Sequence, residues 1–528
     1  MEKVLMLLQI ISFPLMLLAF AVLFEFIVLH EMHMFQLNSY KPKVQLKWLK
    51  NNAKTYLVAL VLTVICAVVS FTVKEAWLAY LIAAALFCAA AVLKRPKKAK
   101  KPLVFTKRVI RLCVTVAVVN IAFVFAAACF KAARPFLPLL YAGYVLLAPF
   151  VMLLCNLINR PLEKGINRYY INDAKKMLAD HSRLVTIGVT GSYGKTSVKF
   201  LLGTLLEAKY NVLITPESFN TPLGVVKTVR TSLRATHDIF VCEMGAKNVG
   251  DIKEICDIVS PRHGVITSVG PQHLESFKSL DNVKKTKFEL ADALPPNGLL
   301  FLNGEDENIR AYSSGRYPNA VRYGLSCAND YYADSISVSS AGTSFTVHHG
   351  QDSVAFSTSL LGRHNVINLV GAIAVCCELG IAMKQLQPYV RKVQGVEHRL
   401  QLIRKGAVTV IDDAYNSNPA GASAALDVLG LCEGCRVLVT PGMIELGAKQ
   451  DEENKAFGAH AAKVCDYVVL VGKNQTKSIR EGLKEGGLPE DSIYVADDLN
   501  EAAQVAYAFD AKGREKTLLF ENDLPDNY

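Results

Sequence analysis

Five long apolar runs occupy most of the first 160 residues. They cover Val4–Leu29, Tyr56–Val73, Ala76–Leu93, Val109–Phe130 and Phe136–Ile158. Each run is about 18–26 residues long, enough for a helix to cross a hydrocarbon core of about 30 Å. The first run has no small-residue cleavage site and four more follow it, so it is predicted to be retained. The pattern predicts an α-helical membrane domain of about five spans over residues 1–160.

Basic residues between the runs predict an orientation. The loop after the first run holds five lysines and the loop after the third holds eight Lys or Arg, whereas Lys74 and Glu75 alone lie between the second and third. Basic loops stay on the cytoplasmic side of a membrane. We therefore expect a multi-pass protein of the cytoplasmic (inner) membrane with its N-terminus outside. Everything after residue 160 is then cytoplasmic.

The positive charge of the chain is concentrated in this apolar segment. The formal net charge is +11, yet residues 1–168 hold 21 Lys and Arg against 5 Asp and Glu, which leaves 37 basic and 42 acidic residues in the remainder. This distribution predicts anionic membrane lipid as a partner and argues against nucleic acid. Ionisable residues are scarce inside the runs, which favours an anchor or lipid-substrate platform over a transporter.

After a linker at residues 161–183, which is predicted to be helical near Tyr169–Leu178, short β-branched runs alternate with helical periods. This order predicts α/β units around a mostly parallel sheet. The strand Leu184–Val189 leads into a glycine-rich loop and then an amphipathic helix, as a nucleotide-binding P-loop requires. Its predicted nucleotide-binding residues are Gly191, Ser192, Tyr193, Gly194, Lys195, Thr196 and Ser197. Lys195 would neutralise phosphate oxygens, and the Thr196 hydroxyl would ligate Mg²⁺.

The motifs that follow the loop resemble those of one family, in the same order. The loop Thr190-Gly-Ser-Tyr-Gly-Lys-Thr-Ser197 lacks the leading glycine of the general P-loop. Six features carry the resemblance after it: Glu243 in Val-Cys-Glu-Met-Gly-Ala, Gly270–Phe277, Lys287-Phe-Glu289, Gly362–Asn368, His398–Gln401 and Asp412–Pro419. Together they resemble the Mur ligase superfamily, and Gly270–Phe277 and Gly442–Gly447 resemble its D-alanyl-D-alanine-adding branch.

The resemblance implies roles for individual residues. Lys195, Lys287, His273, Glu243 and Arg399 would be catalytic, and Thr196, Glu243, His273 and Lys287 would hold two Mg²⁺ ions. Lys287 would act as a carbamate, since an ammonium beside magnesium is repelled and a carbamate offers anionic oxygens; the alternative is a solvated helix lysine like Lys284 and Lys285. Further residues would bind ATP, namely Asn365, Asn368, Arg399 and Asp413. Tyr415, Asn416 and Asn418 would border the acceptor substrate.

The expected fold is an α-helical membrane domain of about five spans followed by two α/β domains. The first, at residues 184–393, would be a P-loop ATPase-like Mur ligase central domain. The second, at residues 394–528, would be a Rossmann-like closing domain with strands near Arg436–Thr440, Tyr467–Val471 and Lys516–Glu521. The spans stand where soluble family members carry a domain that binds a uridine nucleotide, so the substrate is expected to differ.

The expected activity is an ATP-dependent ligation of a carboxylate to an amine through an acyl phosphate, in cell-wall or envelope-polymer synthesis. The expected partners are membrane lipid, ATP, an acid that is lipid-linked or polymeric, and an amino acid or dipeptide. Two alternatives stay open at this point. One is a ligase like poly-γ-glutamate synthase, and the other is a membrane ATPase that performs no ligation.

Overall fold

A computed structural model gives the fold of residues 2–96, 102–217, 219–272, 274–339, 342–395, 399–406, 408–414, 418–444 and 446–522. The described chain forms two compact units. The first extends to Tyr169, and the second begins at Tyr170. Each unit has its own buried apolar core.

The first unit is helical. Its helices are α1 (Glu2–Leu37), α2 (Pro42–Asn51), α3 (Leu57–Thr72), α4 (Ala76–Leu93), α5 (Lys107–Cys129), α6 (Leu137–Leu146) and α7 (Ala148–Ala179), the last of which continues beyond Tyr169. Four stretches of the described chain are long and apolar enough to cross a membrane: Met6–Leu37, Ala53–Thr72, Ala76–Leu93 and Lys107–Cys129. The prediction of an N-terminal region of long apolar helices is therefore confirmed.

The fifth predicted span is not one straight helix. The pair Ala132–Leu146 and Ala148–Ala179 bends by 65° at its break, so the described residues contain four spans, or five if the bent pair counts as one. Pro149 lies in the first turn of α7, where a proline is tolerated because the amide hydrogen it lacks has no partner within the helix there. Pro14 lies inside α1 without ending it.

The second unit contains two sheets, the first of which lies between residues 185 and 358. Its strands are β1 (Val185–Thr190), β2 (Val212–Ile214), β3 (Ile239–Glu243), β4 (His263–Ile266), β5 (Leu300–Asn303), β6 (Val321–Gly324), β7 (Tyr331–Ser339), β8 (Gly342–His349) and β9 (Asp352–Thr358). Their order is β2-β3-β1-β4-β5-β6-β7-β8-β9, parallel as far as β7 and antiparallel at β8 and β9.

Helices pack along this first sheet. They are α8 (Lys195–Leu206), α9 (Pro222–Ser232), α10 (Asp251–Val259), α11 (Leu274–Phe277), α12 (Leu280–Asp292), α13 (Glu307–Ser313), α14 (Arg363–Glu378) and α15 (Gln387–Lys392). Val198, Leu202 and Leu205 of α8 are fully buried in one core with Ile187 and Val189 of β1. The glycine-rich loop joins these two buried elements, and their packing fixes both of its ends.

The second sheet begins at Gln401 and has the order β10-β11-β15-β12-β13-β14. Its strands are β10 (Gln401–Lys405), β11 (Val408–Asp413), β12 (Cys435–Thr440), β13 (Tyr467–Val471), β14 (Ile493–Ala496) and β15 (Lys516–Glu521). Its helices are α16 (Pro419–Gly430), α17 (Gln450–Val464), α18 (Lys477–Glu485) and α19 (Leu499–Ala508). All pairs except β10–β11 are parallel. The predicted succession of apolar helices and two α/β sheets is confirmed.

Candidate active site

The loop between β1 and α8 is built around two glycines. Gly194 precedes α8 with φ of 78°, in the left-handed region that glycine adopts at little cost. A Cβ on Gly191 would lie 2.1 Å from Oγ1 of Thr267, which leaves no room for a side chain. The backbone N–H groups of Ser192 and Tyr193 donate to the carbonyl and hydroxyl oxygens of Ser268, at 2.8 and 2.7 Å. The loop therefore rests on residues 267–268, which follow β4.

Lys195 begins α8 and folds over the loop. Its Nζ donates to the carbonyl oxygens of Gly191 and Ser192, at 2.7 and 3.0 Å. Burial lowers the pKa of the Lys195 ammonium to about 8, against the opposing effect of Glu243 and with a smaller lowering by Arg399. The Lys195 ammonium thus faces the loop interior, near the negative charge of Glu243 and the positive charge of Arg399.

Glu243 ends β3, the strand next to β1 in the sheet. Its side chain is buried, and Oε1 accepts hydrogen bonds from Oγ1 of Thr196 at 3.1 Å and Nδ2 of Asn220 at 3.0 Å. Oε2 lies 3.1 Å from Nζ of Lys199. Burial alone would raise the pKa of the Glu243 carboxyl, but the positive charges of Lys199 and Lys195 outweigh it and hold the pKa below its usual value. The carboxylate is therefore kept ionised.

Lys287 of α12 is buried, with 1% of its surface exposed. Burial lowers the pKa of its ammonium well below the usual value, and the charge of Lys195 lowers it further, against weaker raising effects of Asp251 and Glu289. No hydrogen bond or ion pair to its Nζ is found within the described ranges. The alternative of a solvated helix lysine is therefore wrong for Lys287.

Two residues of the second sheet region approach the loop to different extents. Nη2 of Arg399 lies 3.5 Å from Oγ1 of Thr196, so the arginine reaches the first turn of α8. Asp413 ends β11, and its Oδ1 accepts a hydrogen bond from the N–H of Leu400 at 3.2 Å. Burial raises the pKa of the Asp413 carboxyl to about 6. Arg399 meets the loop, whereas Asp413 braces the backbone beside Arg399.

The predicted asparagines occupy different environments. Oδ1 of Asn368 would be 3.1 Å from a Cβ on Gly194, so this residue borders the loop. Asn365 donates through Nδ2 to the carbonyl of Leu361 at 2.8 Å, just before the start of α14. Asn418 caps α16, where its Oδ1 accepts from the N–H of Gly421 at 2.9 Å. Asn368 therefore lies beside the loop, while the bonds of Asn365 and Asn418 are local.

Three of the predicted site residues, His273, Tyr415 and Asn416, lie outside the described residues. Two that were not predicted, Lys199 and Asn220, contact Glu243 directly. Lys199 lies one helical turn after Lys195 on α8, and this spacing was a signal for it. Asn220 precedes the first turn of α9, and nothing in its local sequence distinguishes it from a helix-flanking residue.

The oxygen atoms around Glu243 fit a magnesium ion. Mg²⁺ prefers oxygen ligands at about 2.0–2.1 Å in an octahedron, which places neighbouring ligands about 2.9 Å apart. Oε1 of Glu243 and Oγ1 of Thr196 are 3.1 Å apart. Oε2 has an ion pair with Lys199 but no aligned hydrogen bond among the residues described. The buried carboxylate and the Thr196 hydroxyl could thus hold one cation together.

Comparison with known proteins gives two family matches. Residues 189–376 match the Mur ligase middle domain, and residues 398–520 match the Mur ligase glutamate ligase domain. The UDP-N-acetylmuramoyl-tripeptide–D-alanyl-D-alanine ligase of Escherichia coli (strain K12) is 32% identical over 329 residues, which are 60% of this chain and 72% of that protein. The protein of the same name from Mycobacterium bovis is 34% identical over 305 residues, 56% of this chain and 60% of that protein.

The chain is also similar to solved structures. A crystal structure of MurF from Acinetobacter baumannii matches with a TM-score of 0.61 and 26% identity, over 68% of this chain and 77% of that one. Both family matches begin after residue 188, so the apolar helices stand in place of the N-terminal domain of these ligases. The chain belongs to the Mur ligase family, and it is a MurF-like, ATP-dependent amide ligase preceded by four or five long apolar helices.

Proposed function

We propose that this protein joins a carboxylate to an amine through an acyl phosphate, at the cytoplasmic face of a membrane, during synthesis of the cell wall or another envelope polymer. The main support is the convergence of Lys195, Thr196, Glu243 and Arg399 at one end of the first sheet. A half-buried lysine and arginine and a buried carboxylate around a glycine-rich loop are suited to phosphoryl transfer, which depends on positioning and charge stabilisation.

The loop residues 191–197 would hold the phosphates of ATP. Nζ of Lys195, which now donates to two loop carbonyls, would donate to phosphate oxygens and offset their charge. Thr196 and Glu243 would hold magnesium, with His273 and Lys287 as ligands of a second ion. Magnesium bound there would supply positive charge beside the transferring phosphoryl group. Asn365 and Asn368 would lie toward the base, and Arg399 and Asp413 would contact ATP from the closing domain.

Lys287 would serve as a carbamate. Its burial and its lowered pKa favour the neutral amine, which is the form that attacks CO₂. A bond forms between Nζ and the carbon of CO₂, one C–O double bond opens, and the nitrogen loses a proton. The product is an anion, so it would be attracted to the positive charge of Lys195, which disfavours an ammonium at this position. The buried position shields the carbamate from water.

The chemistry would take place in two steps. An oxygen of the acid attacks the γ-phosphorus of ATP and the bond to the bridging oxygen breaks, giving an acyl phosphate and ADP. The amine then attacks the acyl carbon, phosphate leaves, and the nitrogen gives up a proton. No protein nucleophile is required.

Tyr415, Asn416 and Asn418 would border the acceptor amine. Closure of the domain at residues 394–528 over the domain at residues 184–393 would keep water from the acyl phosphate.

The apolar helices would hold the enzyme next to its acid substrate. The E. coli relative is named for a uridine-nucleotide-linked tripeptide and D-alanyl-D-alanine, and the apolar helices here stand in place of its N-terminal domain. An acid that is itself lipid-linked or polymeric would be concentrated by a shared membrane, without a nucleotide handle. The basic loops would face anionic lipid on the cytoplasmic side, with the N-terminus outside.

The test uses the full chain purified in detergent, with ATP, membrane extract and a panel of amino acids and dipeptides. ADP release that requires both an acid and an amine, with a product whose mass equals their sum less one water, would support the proposal. ADP release that needs no amine would favour a membrane ATPase. Successive addition of glutamate would favour a ligase of the poly-γ-glutamate synthase type. Full activity on a soluble uridine-nucleotide peptide would contradict a lipid-linked acid.

A further inference from the structure

Lys199 is an ammonium buried directly behind the proposed magnesium ligand. It lies on α8, its side chain has no exposed surface, and its Nζ is 3.1 Å from Oε2 of Glu243. A buried ion pair is weak evidence for stability, because desolvation offsets much of the attraction and apolar residues often serve as well. The position of this pair at the proposed metal ligand therefore calls for a functional explanation.

The two oxygens of the Glu243 carboxylate have different surroundings. Oε1 faces Thr196 Oγ1 and Asn220 Nδ2, at 3.1 and 3.0 Å. Oε2 faces the Lys199 ammonium, and no other donor reaches it among the residues that the structure describes. Only Oε1 therefore lies beside Thr196, the other proposed magnesium ligand. A cation bound between Glu243 and Thr196 would meet one carboxylate oxygen and not two.

Lys199 also holds the backbone next to this carboxylate. Its Nζ donates to the carbonyl oxygen of Glu217, a residue with φ of 41°, in the left-handed region that non-glycine residues seldom adopt. Three residues further along the same loop, Asn220 donates to Oε1. One ammonium thus fixes both the carboxylate and the loop that supplies its amide donor, which limits rotation of the Glu243 side chain.

We propose that Lys199 is a positioning residue that makes the Glu243 site select Mg²⁺ over Ca²⁺ by occupying the second carboxylate oxygen. Mg²⁺ requires a compact octahedron with single oxygen contacts, whereas Ca²⁺ takes six to eight oxygens and accepts bidentate carboxylates. An ion pair at Oε2 leaves the carboxylate monodentate toward the cation. This inference rests on the proposed function, since it takes the Glu243 site to be the magnesium site.

The test measures metal binding directly, without turnover. The full chain in detergent is given ADP and Mn²⁺, bound Mn²⁺ is followed by electron paramagnetic resonance, and Mg²⁺ or Ca²⁺ is added as competitor. The wild-type protein should release Mn²⁺ at much lower Mg²⁺ than Ca²⁺ concentrations, beyond the preference of ADP alone. In Lys199→Met, the Mg²⁺ concentration needed should rise about 10–100-fold, the usual cost of losing a group that orients a metal ligand. The Ca²⁺ concentration should change much less.

Matched variants separate selectivity from folding. Lys199→Arg keeps a cation at Oε2 and should retain the wild-type ratio of Mg²⁺ to Ca²⁺ affinity. Lys285→Met removes an exposed lysine of α12 and should leave the ratio unchanged. Lys199→Leu replaces Lys199→Met if the latter does not fold, since leucine also places no donor at Oε2. A merely structural role would lower both affinities together and keep their ratio.

Each outcome decides between the two proposals. A folded, uncharged variant with the wild-type ratio would overturn the role of Lys199, and so would a wild-type protein that binds Ca²⁺ as well as Mg²⁺. In both cases the nucleotide and metal site itself would stand. A wild-type protein that binds no Mn²⁺ with ADP would instead refute the proposed function and this inference with it.

Discussion

Replacing Lys287 by methionine should remove a pH-dependent part of the stability of the second unit. Lys287 is buried, and the burial and the positive charge of Lys195 lower its pKa. The negative charges of Asp251 and Glu289 raise this pKa by less. Its folded pKa therefore lies well below that of the unfolded chain, which is about 10.4. Between these two values the unfolded state binds a proton that the folded state does not, so stability rises with pH in this window.

The size of the effect follows from one proton. Complete uptake of one proton on unfolding changes the free energy of unfolding by about 1.4 kcal/mol per pH unit. Between its folded and unfolded pKa values, Lys287 is a neutral amine in the folded protein. Replacing it by methionine should therefore leave the titration of Lys195 unchanged in this pH range. The wild-type free energy of unfolding, minus that of Lys287→Met, should therefore increase by up to about 2.7 kcal/mol between pH 7.5 and 9.5.

Pulse proteolysis in urea of the full chain in detergent gives this difference. Tryptophan fluorescence would not serve, because both tryptophans, Trp48 and Trp77, lie in the first unit. The buffers must be free of CO₂, so that carbamate does not form. Lys285→Met, on the same helix but exposed, is the control and should show no such slope. A difference for Lys287→Met that stays flat over this range would mean that the ammonium is charged in the folded protein, and the argument for a carbamate would fail.

Three further predictions concern the loop and a helix cap. Lys195→Ala should lower amine-dependent ADP release about 10²–10³-fold or more, as loss of a charge-stabilising donor does, without reducing the amount of membrane-inserted protein; undiminished release would refute the P-loop assignment. Gly191→Ala should cost about 1–3 kcal/mol of stability in urea unfolding, because the new methyl group would overpack against Thr267. The control Gly430→Ala should cost nothing, and equal effects of the two variants would contradict the close approach of Gly191 to Thr267. Asn418→Ala should cost about 1 kcal/mol through the lost cap of α16, and Asn418→Asp should keep that stability, so reduced ligation in both variants would indicate a substrate role as well.

Residues that belong to one contiguous motif could be predicted from the sequence. Thr190–Ser197 is a strand end, a loop and a helix start in one stretch, so its placement needed no long-range information. Glu243 was predictable because an acidic residue that ends an apolar run lies at the carboxyl end of a parallel strand, where ligands bind in such sheets. The strands Tyr467–Val471 and Lys516–Glu521 agree with β13 and β15 residue for residue.

Properties that depend on packing were harder to predict. Lys287 lies on the buried face of α12 with Val283 and Leu290, whereas Lys284 and Lys285 do not. The helical spacing of these three buried residues could have indicated this from the sequence. Pro149 was a signal for a kink in the last apolar run, and the break lies at Leu147, two residues before it. The bend of 65° could not be predicted, because the run continues through Leu147 without a polar residue. The spacing of Lys199 after Lys195 indicates that both lie on one face of α8. The contact of Lys199 with Glu243, however, joins residues 44 positions apart, and no local pattern predicts that partner.

Binding of Mg-ATP to the intact protein tests the central assignment most directly. Isothermal titration calorimetry of the full chain in detergent should show saturable binding of ATP that depends on Mg²⁺. The same titration with Lys195→Ala should show a large loss of affinity. If the folded wild-type protein shows no affinity for Mg-ATP, the assignment of residues 190–197 and Glu243 to a nucleotide and metal site is wrong.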